Sequence, residues 1–384
     1  MAQTSIGYLE KLIAFPTVSR ESNLELIEFV RSELESSGFL CAIVKSEDGR
    51  KANLFATIGP PGQPAILLSG HTDVVPVEGQ AWTSDPFKLR RAGGRLYGRG
   101  SADMKGFIAC TLAMARRTAG LKLHTPLSLA FSYDEEVGCL GVRRLIDMME
   151  TMPTRPRFCI VGEPTSLQVV TAHKGKIGMR VHCRGVEAHS ALAPLAVNAV
   201  YLALDVISEI RSIQREIAAM GIKEGDYEVP YTTVHAGVIV GGEVINIVPN
   251  QCRFEYEIRY VPEDDPGKIS SRIESAARRT AAEARRISER ADIAFTPVVS
   301  YPAMNTPSDS EVVNFMKSIT GSNSTGKISF GTEGGLFQQR LGIPTVVCGP
   351  GNIAVAHKPD EYIEEVQIAQ CDKVLARLLD RLSR

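Results

Sequence analysis

Five separated stretches carry side chains that can hold a cation and move a proton. His71 follows the apolar run Ala65–Leu68 and the turn pair Ser69-Gly70, with Asp73 two residues further on. Asp103 lies in the Gly-rich stretch GRGSADMKG, Glu135 and Glu136 are adjacent in YDEEVG, Glu163 lies in VGEPT, and His357 lies in AHKPDEY. Imidazoles and carboxylates without a thiolate make a nitrogen–oxygen donor set, suited to zinc and open to cobalt or manganese. The set is larger than one structural ion needs, so two divalent ions sharing a carboxylate is the economical arrangement. Three carboxylate ligands against two such ions leave about +1, which a hydroxide brings near neutral. One carboxylate of Glu135-Glu136 can then stay free, and a free carboxylate beside metal-held water is a general base. Asp73 is spaced to accept the second ring N–H of His71, which holds a metal-binding imidazole in one tautomer.

Side chains so far apart in sequence meet only if the fold gathers them. Apolar runs predict strands at Asn53–Ile58, Ala65–Ser69, Leu127–Ser132, Phe158–Val161 and Thr345–Cys348. Helices are expected at Ile6–Phe15, after a Ser22/Glu25 capping box, at 105–118, 141–149, 310–319 and 363–382. That alternation predicts a doubly wound, mainly parallel α/β sheet, in which His71, Glu135-Glu136, Glu163 and His357 fall just past strand ends. Asp103 falls at a helix start, after a long connection of the kind that is usually functional. From Lys176 the pattern changes: strand 176–184, helix 194–218, strands 232–240 and 251–260, helix 269–290, strand 293–299. This β-α-β-β-α-β order is the split ferredoxin-like unit, read as an α+β insertion. The expected division is 1–175 and 298–384 for the first domain and 176–297 for the insertion.

The 384 residues are enough for two cores. A composition 44% hydrophobic and 23% charged, with net charge −1, gives no general reason to seek nucleic acid or an anionic membrane. The run RIESAARRTAAEARRISER reads as the solvated face of a helix. Eight scattered cysteines with no C-x-x-C pair argue against a disulfide framework or thiolate zinc site, and read as buried thiols in a reducing cytoplasm. The opening MAQTSIGYLEKL lacks the basic-then-apolar order of a secretion signal, and no apolar run approaches the roughly 18 residues of a membrane span.

Taken together, HTDVVP, GRGSADMKG, YDEEVG, VGEPT and AHKPDEY resemble the co-catalytic zinc metallopeptidase family that includes acetylornithine deacetylase, succinyl-diaminopimelate desuccinylase, aminoacylase and glutamate carboxypeptidases. The resemblance implies two divalent ions, zinc or cobalt, with His71, Asp103 and Glu163 around one and Asp103, Glu136 and His357 around the other. It gives Glu135 as the general base acting on the metal-bridging water and Asp73 as the partner of His71. It also implies a cis peptide at Asp103-Met104, and casts the insertion as a lid that pairs two copies as a homodimer. His189, in GVEAHSA, resembles the histidine supplied by the partner subunit to the oxyanion, and Asn246 and Arg259 resemble substrate-gripping residues. An arginine fork suits a substrate α-carboxylate. The stretches SFGTEGGLFQ and GIPTVVCGPG look most like acetylornithine deacetylases, with Gly334 a departure where alanine is expected. Gly331 and Thr332 would then line the carboxylate pocket, and Glu333 would meet the free ammonium of N2-acetyl-L-ornithine. The expected reaction is its deacetylation to ornithine and acetate, a cytoplasmic step of arginine biosynthesis. Alternatives are removal of a succinyl group from succinyl-diaminopimelate, a general N-acyl-amino-acid deacylase, and a non-catalytic metal or amino-acid binding protein on the same fold.

Overall fold

The apolar runs that open this chain become buried strands because each is too short for a helix and ends in a turn signal. In the computed structural model, which describes residues 4–384, Ile66–His71 and Leu127–Ser132 are buried along their whole length, as are Phe158–Pro164 and Thr345–Gly349. The first three residues of the N-terminal stretch read above lie outside the described residues. Ile66–His71 runs parallel to both Leu127–Ser132 and Phe158–Pro164, and Thr345–Gly349 runs parallel to Phe158–Pro164. Antiparallel strands flank this parallel centre: Ala52–Ile58 and then Leu40–Lys45 on one side, Val169–His173 on the other. Burial on both faces explains why the central strands read as continuous apolar runs without alternation.

The chain divides into two compact units. The first contains the segment ending at Ala172, Met304–Lys327 and Thr332–Arg384; the second contains His173–Ala303 and Ile328–Gly331. In the first, the helices Ser5–Ile13, Lys105–Arg116 and Glu365–Leu382 pack on one another and share one apolar core with the sheet. The second is a four-stranded antiparallel sheet in the order Thr233–Gly241, Gln251–Tyr260, Gly175–Arg184, Asp292–Tyr301. Its helices Ala199–Met220 and Pro266–Ala284 pack together, the second burying Ile273, Ala276, Ala277, Ala281 and Ala284 while Arg278 and Arg279 face solvent. The order is that of a split β-α-β unit pair.

Several local expectations are corrected. The helix Leu24–Glu35 has no Ser22 capping box: Asn23 stands at its N-cap and turns its amide to Ala52 N and O and to Thr72 Oγ1. Tertiary hydrogen bonds win there over the local cap. Ser190–Leu195 is a 3₁₀ turn, and the long insertion helix starts only after Asn198, whose side chain caps Val200 and Tyr201. The long connection after His71 contains a hairpin, Arg90–Ala92 with Arg95–Tyr97, and Tyr362–Glu364 adds a third strand to it. Among the described residues no helix is long and apolar enough to cross a membrane. All eight cysteines are free, and all but Cys41 are buried.

Candidate metal centre

His71 is the last residue of its strand, and a parallel neighbour, Leu127–Ser132, leads directly to Tyr133 and the Glu135-Glu136 pair. Glu163 lies near the end of the adjacent strand. The preceding Gly162 is required, because a Cβ there would stand 2.1 Å from the Phe107 ring. Asp103 precedes the helix Lys105–Arg116, and the Asp103-Met104 peptide is cis. The strand ends of an open α/β sheet thus converge on one place.

There Asp103 stands between two histidines. Its Oδ1 is 3.0 Å from His71 Nε2, and its Oδ2 is 3.2 Å from His357 Nε2. Glu163 Oε1 lies 3.6 Å from His71 Nε2, and Glu136 Oε1 lies 3.0 Å from His357 Nε2. Ligand atoms of His71, Asp103 and Glu136 lie within 4.8 Å of one another, as do those of His71, Glu135 and Glu163. His71, Asp103 and Glu163 are buried, whereas His357 is exposed on one side. The centre is walled below and open above.

The orientation of His71 differs from the expectation. Its Nδ1 lies 2.9 Å from the backbone carbonyl of Asp73 and 3.5 Å from that residue's carboxylate. The carboxylate also accepts from Ser19 Oγ and from the backbone N–H groups of Glu135 and Glu136. Asp73 therefore fixes His71 through its carbonyl and the Glu pair through its side chain. Cys139, absent from the sequence reading, places its thiol 3.2 Å from Glu135 Oε1. Its position four residues after Glu135, in the turn that follows the strand, was the available signal.

The electrostatics follow from burial and crowding. Burial opposes charging His71, but the carboxylates of Glu163, Asp103 and Asp73 outweigh it and hold the ring well above its ordinary value. Hydrogen bonds donated to Asp103 and then to Glu136 raise His357 to about 10. Burial, then the nearby Asp103 charge, pushes Glu136 up to about 7 and Glu163 well above the usual carboxylate range. Glu135 is raised chiefly by burial, with Glu136 adding to it against the opposing pull of His71. Asp103 is held low: hydrogen bonds from His357 and His71 overcome its desolvation. A pocket of carboxylates driven toward protonation is short of positive charge, and its nitrogen and oxygen donors fit a pair of divalent ions.

The remaining predicted residues are not among these clustered donor groups. His189 and Asn246 are exposed on the second unit, and His189 Nδ1 accepts the N–H of Ala191. Arg259, also on that unit, donates to Glu257 and to Tyr301 Oη at 2.8 Å. Gly331 packs under Tyr301, where a Cβ would be 2.0 Å from the ring. Thr332 is buried, its hydroxyl accepting Gly334 N–H. Glu333 is 1% exposed and accepts from the hydroxyls of Ser69 and Ser132. That environment corrects the reading of Glu333 as a group presented to a substrate ammonium.

The fold and its donor cluster define an α/β protein of the metallohydrolase kind. Residues 67–381 match Peptidase family M20/M25/M40, and the chain belongs to that family. It is 37% identical over 374 residues to an acetylornithine deacetylase of Myxococcus xanthus, spanning 96% of this chain and 95% of that relative. It is 32% identical over 383 residues to an acetylornithine deacetylase of Pasteurella multocida, spanning 96% of this chain and 95% of that one. An M20 family metallo-carboxypeptidase of Sulfolobus solfataricus shares the fold, with a TM-score of 0.78 at 21% identity over 99% of each chain.

Proposed function

We propose that this chain is a metal-dependent amidohydrolase that removes the acetyl group from N2-acetyl-L-ornithine, giving ornithine and acetate. The observation that carries the reading is Asp103 facing a different histidine with each carboxylate oxygen, the geometry of a ligand shared by two cations. The substrate follows from the relatives, which are deacetylases of that amino acid over nearly their full length.

His71, Asp103 and Glu163 would hold one ion and Asp103, Glu136 and His357 the other, zinc or cobalt by donor type. Bound there, such ions polarise an amide carbonyl and lower the pKa of water. Glu135 is the proton carrier: it takes the proton of the attacking water and delivers it to the nitrogen of the leaving amine. Its backbone is fixed by Asp73 and its carboxylate by the Cys139 thiol. His189 fits the oxyanion role because its Nδ1 accepts a backbone N–H, which leaves Nε2–H as the donor. Asn246 grips the substrate and Arg259 takes its α-carboxylate, with Gly331 and Thr332 beside it. The first unit, whose bounds fall at Ala172 and Met304 rather than at 175 and 298, acts as the catalytic domain, and the insertion acts as the lid and pairs two copies, so that His189 serves the neighbouring site. The product ornithine places the reaction in arginine synthesis in the cytoplasm.

Hydrolysis of acetylornithine, succinyl-diaminopimelate and uncharged acetyl-amino acids, after zinc or cobalt loading, tests this. Preference for acetylornithine in kcat/KM is the expected result; preference for the succinyl substrate would refute the acyl assignment, and no turnover of any would refute the enzyme.

A further inference from the structure

The AHKPDEY stretch contains an acidic residue the mechanism above does not use. Glu361 is buried, and its carboxylate faces the backbone that carries Asp103. Glu361 Oε1 accepts the N–H of Ala102 at 2.9 Å and of Asp103 at 3.1 Å. Its Oε2 accepts the N–H of Gly100 at 3.1 Å and Arg99 Nη1 at 2.7 Å. Arg99 is also fully buried, its guanidinium 4.9 Å from the Trp82 ring. From there the network continues to the other histidine. Arg99 Nη1 donates to the carbonyl of Lys358, and Nη2 donates to Gln80 Oε1. Gln80 Nε2 donates to the carbonyl of His357, a non-glycine residue at φ +62°.

We propose that Glu361, with Arg99 and Gln80, is a positioning device that holds Asp103 and His357 at one fixed separation and so sets the geometry of the paired-ion centre. The inference rests on the metal reading above. Asp103 lies in the turn between the strand Arg95–Tyr97 and the helix Lys105–Arg116, and His357 lies in another turn, so neither is itself held in a strand or helix ladder. A residue shared by two ions must be placed to a fraction of an ångström at both oxygens. A carboxylate does this here because every one of its four contacts is an N–H donor. A glutamine cannot replace it: whichever way the amide is turned, its NH₂ faces two donors, and one side of the strap opens. Buried Arg99 would then lose its counter-charge, which is costly in a desolvated site.

The test is cobalt(II) binding to the full chain, by calorimetric titration and by the visible ligand-field absorption of the loaded protein. It is made well below the melting transition followed by circular dichroism. For Glu361→Gln the expected result is a loss of about tenfold to a hundredfold in cobalt affinity, the scale for partners that orient metal ligands, with shifted absorption bands. In assays kcat should fall more than KM rises. Gln80→Ala, at a half-buried position, leaves the Arg99–Glu361 pair intact and keeps the test usable if Glu361→Gln does not fold. It should lower cobalt affinity severalfold and shift the same bands. A lowered melting temperature with unchanged affinity and spectrum in either folded variant would overturn the proposal, because purely structural support moves only the first. Wild-type protein that takes up no cobalt would overturn the metal reading itself, and this inference with it.

Discussion

Glu333→Gln in the metal-free protein gives the sharpest test of how the floor of the centre is built. Glu333 is fully buried, and among the described residues the hydroxyls of Ser69 and Ser132 are the hydrogen-bond donors to its carboxylate. Burial, opposed by those hydroxyls and by His71, raises its carboxyl from 4.5 to about 7. In the unfolded chain the group titrates at its ordinary value, so between these two pH values the folded state holds a proton that the unfolded state has lost. The stabilisation is fully present below the unfolded value, is lost as pH rises toward 7, and stays lost above it. At about 1.4 kcal/mol per pH unit, the loss is on the order of 3 kcal/mol. Glutamine is neutral at every pH and can still bond both hydroxyls. The expected result is that the variant gains about 3 kcal/mol relative to wild type on going from pH 4.5 to pH 8. Thermal unfolding of chelator-treated protein reads this as a difference of differences, in which titrations common to both proteins cancel. At about 1–2 °C per kcal/mol for a chain of this length, the variant should gain roughly 3–6 °C over wild type between the two pH values. An offset between variant and wild type that is the same at both would refute the reasoning, and would mean that Glu333 keeps its charge in the fold. Acetylornithine preference surviving in the variant would be consistent with the buried position; loss of that preference alone would restore a substrate role.

Other outcomes follow from the same geometry. Glu135→Ala should bind cobalt as wild type does yet lose roughly 10²–10⁴ in kcat; near-normal turnover would remove it as the base. Gly162→Ala drives a methyl into the Phe107 ring beneath Glu163 and should destabilise by about 1–3 kcal/mol in chemical denaturation, with weaker metal binding; an unaffected midpoint would show that the ring can move. Chelation should lower the melting temperature and abolish activity, with zinc or cobalt restoring both, because ions that bind only the folded cluster add their binding energy to its stability. His189→Ala should reduce kcat without altering metal content, and light scattering should find a dimer; a fully active monomer would contradict the lid assignment.

Much of the site was legible because its chemistry needs rare residue types at the ends of apolar runs. His71, Glu135-Glu136 and Glu163 each follow a run that folds as a buried parallel strand, and that placement needs only hydrophobicity, length and a turn signal. The β-α-β-β-α-β order of the insertion was readable for the same reason, since periodicity switches at each element. What local pattern could not give is which donor meets which acceptor. Asn23, not Ser22, stands at the N-cap and turns its side chain to Ala52 and Thr72, and the Asp73 carboxylate holds the backbone of the Glu pair as well as lying near His71. Glu333 was read as a group facing substrate and lies under the sheet's strand ends, held by two serines far away in sequence. Glu361 was in plain view within AHKPDEY, but its role depends on N–H groups some 260 positions earlier, brought near by the loop path between Trp82 and Asp103. Residue types and strand ends thus decide what chemistry the chain can carry. Burial and long-range hydrogen bonding, which exist only after the chain has closed on itself, decide which carboxylates face the ions, which face protein, and which remain free to move a proton.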